Sequence, residues 1–78
     1  MSYTAIDPSD RAAVLWLQSA LGELTHGRHG VSIGKMDELT KKALIIFQIQ
    51  QKLPVTGEPD ETTLQKINQE LQTRGITI

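Results

Sequence analysis

The chain has 78 residues, no cysteine, and eight basic against nine acidic side chains, a formal charge of −1. That length suits one domain near the lower limit for folding on a hydrophobic core alone, and without cysteine no disulfide framework or zinc–thiolate centre can staple it. The balanced charge argues against nucleic-acid binding and polybasic membrane contact, both of which need clustered Lys and Arg.

In chain order, the opening "MSYTAIDPSD" lacks the basic and apolar regions of a secretory signal. The expectation is a cytoplasmic protein or a domain exported by other means. "DPSD" (Asp7 to Asp10) offers a cap, a proline at the first helical position and an acid at the third, which predicts a helix over 8–21 with Gly22 weakening its continuation. "THGRHGVSIG" reads as an ordered loop. A second helix is predicted over 38–52, stopped by Pro54, and a third over 61–73, with Gly75 as its C-terminal cap. The longest apolar run, Ala43 to Phe47, is far too short to span a bilayer. The expected fold is all-α, a compact three-helix bundle over residues 1–78 as one domain, with an ordered loop between the first two helices.

Two stretches repeat one another. "GKMDELTKKAL" (Gly34 to Leu44) and "GEPDETTLQKI" (Gly57 to Ile67) align on Gly, Asp, Glu and Thr at an offset of 23 residues. In each copy the Asp is a good N-cap, the Glu follows at the positive end of the helix dipole, and the Gly suits a tight turn. The acids are therefore assigned to helix starts rather than to catalysis. A nucleophile with a base, a metal-bound water or a facing carboxylate pair is needed for hydrolysis. His26 and His29, with Glu23 nearby, form the nearest approach to a zinc site, and a catalytic zinc needs a third ligand with ordered support. The expectation is no metal, no cofactor and no enzyme activity.

"VLWLQSAL" (Val14 to Leu21), "GKMDELTKKALIIFQ" (Gly34 to Gln48) and "LPVTGEPDETTLQKI" (Leu53 to Ile67) together resemble the small peptidoglycan-binding domain, a three-helix module attached to many bacterial and phage cell-wall hydrolases. The elements that match are Val14, Leu17-Gln18, Gly34 with Thr40, Ala43 with Phe47-Gln48, Leu53, and Gly57 with Thr63, and the likeness spans about residues 12–71. It implies a non-catalytic module that binds peptidoglycan and holds an attached or associated hydrolase at the wall, in the cell envelope or outside the cytoplasm. For such a ligand, His26, Arg28, His29 and Lys35 offer donors for stem-peptide carboxylates, against the alternative of a solvated loop. The family is also used for docking proteins.

Helical spacing places Val14, Leu17 and Leu21, then Thr40, Ala43, Leu44 and Phe47, then Leu64, Ile67 and Leu71 on the core faces. Leu15, Trp16, Ile45, Ile46 and Ile49 fall off those faces, where members of the family commonly carry Arg, Lys or Gln. Two coverings of this extra apolar surface remain open. Either Tyr3, Ile6, Ile76 and Ile78 fold back over it, or it is an interface for another protein or a second copy of this chain.

Overall fold

The computed structural model describes residues 3–25 and 35–76. Among them are three helices and no strands: α1 (Arg11–Thr25), α2 (Glu38–Gln50) and α3 (Glu61–Arg74). The helices form a three-helix bundle in which α1 is the central element and packs against both α2 and α3. The expected ordered loop between α1 and α2 falls largely on residues 26–34, outside the described residues.

Helix α1 starts three residues later than expected. Asp7 forms a turn of its own: its carboxylate accepts from the Ser9 N–H (2.9 Å) and hydroxyl (2.8 Å), and its carbonyl accepts from the Asp10 N–H. Asp10 then caps the helix, its carbonyl accepting from the Val14 N–H and its side chain from the Ala13 N–H. "DPSD" thus holds two capping acids in tandem, and the second opens the helix. The other end runs past Gly22 to Thr25. A helical glycine costs about 1 kcal/mol relative to alanine, and burial of Leu24 beyond it offsets that loss.

The core contains every residue placed there by helical spacing on the three faces, completed by Ala13, Ala20 and Leu24. It also contains Trp16. The expectation that Trp16 points away from the core is corrected: its exposure is 8%. The N-terminal segment covers it: the Tyr3 ring is tilted against the indole at 5.3 Å between centroids, and Ile6 is buried in the same core cluster. Asn68 Nδ2 of α3 donates to the Tyr3 carbonyl at 2.8 Å and ties the segment across the bundle. The wheel failed here because α1, packed by helices on two sides and by this segment as well, buries a much wider arc than one stripe.

Candidate ligand-binding surface

The repeated segments build two near-identical helix entrances. At α2, Asp37 accepts from the Thr40 N–H (2.9 Å) and hydroxyl (2.7 Å); at α3, Asp60 accepts from the Thr63 N–H (2.9 Å). Each entrance is held by a glutamine from the preceding helix. Gln18 Nε2 of α1 donates to the Lys35 carbonyl (2.9 Å) and to the Thr40 hydroxyl (3.0 Å). Gln48 Nε2 of α2 donates to the Glu58 carbonyl (3.2 Å) and to the Thr63 hydroxyl (2.9 Å). Lys35 and Glu58 are 23 residues apart, as are Thr40 and Thr63, so both glutamines read the same positions of the repeat. Gln48 Oε1 also accepts from the Thr56 and Gly57 N–H groups, each at 3.0 Å.

These contacts decide what the acids can do. Hydrogen bonds from Thr63 and Thr56 hold the Asp60 carboxyl below the usual aspartate range, and the Ser9 N–H and hydroxyl do the same for Asp7. Both are stabilised as ionised acceptors, which suits capping and opposes proton donation. Among the described residues no three His, Asp or Glu side chains gather as a metal-ligand group.

Of the four expected ligand residues, the structure describes Lys35. Its side chain is exposed just ahead of α2, and its carbonyl accepts from Gln18 Nε2 and from the Asp37 N–H. The ammonium therefore projects from a fixed backbone. His26, Arg28 and His29 lie outside the described residues.

The five residues expected to form an interface divide. Trp16 belongs to the core. Ile45 is half-buried and packs over Gly57, where an added Cβ would meet its Cγ1 at 3.5 Å. Leu15, Ile46 and Ile49 are exposed at 44%, 43% and 59%. Leu39 and Val55 are exposed as well. Val55 was missed in the sequence because it lies in the connection between helices, where no periodicity marks a face.

A family model described as "Putative peptidoglycan binding domain" matches residues 10–67. No curated protein and no solved structure matches the chain significantly. The match takes in both helix entrances, both glutamines and all of α2, and spans well over half of the chain. With the fold and the paired helix starts in agreement, the chain belongs to this peptidoglycan-binding domain family.

Proposed function

We propose that this domain is a non-catalytic module that binds peptidoglycan and keeps an attached or associated wall hydrolase on its substrate. The observation that carries the reading is the family match over residues 10–67, which contains the whole of the repeated helix-start architecture. The benefit to the hydrolase is effective concentration: modest affinity suffices, because a tethered enzyme meets the wall again before it diffuses away. Such a role places the domain in the cell envelope. Among the described residues no helix is long and apolar enough to cross a membrane.

Lys35, with Arg28, His26 and His29, supplies the donors in this reading, and stem-peptide carboxylates are the acceptors. A sedimentation assay with purified insoluble peptidoglycan at moderate salt tests it. The domain should pellet with the wall, and Lys35→Ala with Arg28→Ala should shift it toward the supernatant without loss of helix content. Retention of the unmodified domain wholly in the supernatant would overturn the reading. A second reading, a docking module on the same scaffold, is favoured by the exposure of Ile46 and Ile49.

A further inference from the structure

The stretch "DPSD" meets the rule for a helix start twice, and the folded chain uses the second. With Asp10 as the cap, the Ala13 N–H reaches its carboxylate at 3.3 Å, against 2.9 Å for the corresponding bonds at Asp37 and Asp60. Asp7, three residues earlier, is already set as a cap. Its carboxylate accepts from the Ser9 N–H at 2.9 Å, as an N-cap accepts from the second residue of its helix, and its carbonyl accepts from the Asp10 N–H. Passing that carbonyl to the Arg11 N–H would make residues 8–10 the first turn of a longer α1. Pro8 would then hold the first helical position and Asp10 the third, both favourable there.

The strap ahead of this turn selects the shorter helix. Tyr3 packs its ring on Trp16, Ile6 is buried, and Asn68 Nδ2 donates to the Tyr3 carbonyl. Among the described residues that is the one hydrogen bond from the strap to the helices, and Thr4 and Ala5 are exposed. A longer α1 is incompatible with this seat. Three further helical residues carry Ile6 about 4.5 Å along the axis, out of its place in the core. They also set Asp7 about 14 Å above Trp16, and the stretch from Asp7 back to Tyr3 reaches about 14 Å at full extension. Nothing is left for the chain to reverse direction, so the ring contact is lost.

We propose that the tandem caps form a two-state helix start coupled to this strap. With the strap docked, α1 opens at Asp10 and Trp16 is covered. With the strap released, α1 opens at Asp7 and Trp16 is bare. The coupling is reciprocal: whatever favours the longer helix favours release, and whatever holds the strap shortens the helix. The released state presents an aromatic ring beside the Asn68 amide on the α1–α3 side of the bundle, and the docked state covers the ring and engages the amide.

The test uses the intact chain labelled with ¹³C and ¹⁵N and reads two places at once, the Cα shifts of residues 8–10 and the emission of Trp16. Three residues among 78 are too few to read in circular dichroism. Asp10→Ala removes the cap of the shorter helix, and should move the shifts of residues 8–10 toward helical values and Trp16 emission to the red. Tyr3→Ala with Ile6→Ala weakens the strap, and should bring the same helical shifts to residues 8–10, although neither substitution lies there. Asp7→Ala added to either variant should return those shifts to non-helical values, with the resonances of α2 and α3 in place throughout. If Asp10→Ala frays the first turn of α1 and leaves Trp16 emission unmoved, the proposal is overturned. It is overturned equally if the strap variant bares Trp16 while residues 8–10 keep their turn. Should Asp10→Ala fail to fold, the strap variant decides alone, because its readout lies away from its substitutions.

Discussion

Gln48 is fully buried and densely hydrogen-bonded: its amide engages the Thr56, Glu58 and Thr63 oxygens, and its carbonyl accepts two backbone N–H groups. A buried amide is favourable only when its partners are present, and removing it leaves those partners unsatisfied. Gln48→Leu fills the same space but strands the buried Gly57 N–H and the Thr63 hydroxyl. We expect a loss of about 2–3 kcal/mol in urea denaturation. Asp60 works from the other side of this entrance. Its carboxyl titrates below its ordinary value because Thr63 donates to it. A folded-state pKa below that of the unfolded chain adds stability above the unfolded value, and that stability disappears as pH falls through the folded value. Asp60→Asn keeps a good N-cap but cannot titrate. It should therefore cost little at neutral pH and flatten the fall in stability below about pH 4, as read from denaturation curves collected between neutral and strongly acidic pH.

At the level of elements, the likeness between the two halves outruns the repeated segment. At the end of α2 the Lys52 N–H bonds the Ile49 carbonyl and the Leu53 N–H bonds the Gln48 carbonyl; at the end of α3 the Gly75 N–H bonds the Gln72 carbonyl and the Ile76 N–H bonds the Leu71 carbonyl. Both are Schellman closures, again 23 residues apart. They differ in the residue forced into the left-handed region: Gly75 has φ 67°, and Lys52 has φ 58°. A side chain there costs about 1 kcal/mol. Lys52→Gly should therefore raise the melting temperature by a few degrees, and Gly75→Ala should lower stability by about 1 kcal/mol. No neighbouring atom lies within 4 Å of a Cβ at position 75, so that loss would be backbone strain alone. Scanning calorimetry of the two variants reads both signs.

The starts of α2 and α3 were legible residue by residue, because Asp37 and Asp60 are each the one good cap beside an apolar stripe. The start of α1 was not, since Asp7 and Asp10 both satisfy the rule and only tertiary packing selects between them. The apolar core positions on α3 were read from a single stripe, which missed only the buried Thr63. Trp16 was misplaced because a wheel assumes one buried face, and the central helix of a three-helix bundle has more. For the proposed ligand surface, residue chemistry named Lys35 as a candidate, but only the structure shows its backbone pinned by Gln18.

For the whole molecule, the segment before α1 and its partners lie outside the family match, since Tyr3 and Ile6 precede the matched residues and Asn68 and Ile76 follow them. Tyr3, held by Asn68, packs on Trp16 and helps to make an apolar side chain off the predicted core face a core residue. Ile6→Ala should cost about 2 kcal/mol, at the low end for a buried truncation because the site is at the edge of the core. Tyr3→Ala added to it should shift Trp16 emission to the red while far-ultraviolet circular dichroism stays unchanged. An emission maximum that does not move would mean that other groups shield the indole.

The bond from Asn68 to the Tyr3 carbonyl joins positions 65 residues apart. Helices form from neighbours along the chain, whereas closing so large a loop is entropically costly and is repaid only once the bundle exists to receive it. The segment should accordingly dock last during folding and open first in the native state. In time-resolved refolding, the rise of helix signal should precede the blue shift of Trp16. In native hydrogen exchange, the indole N–H of Trp16 should become labelled through an opening that leaves the central amides of α1 and α2 protected. Were the indole exchanged only as fast as those amides, the segment and the helices would be one cooperative unit.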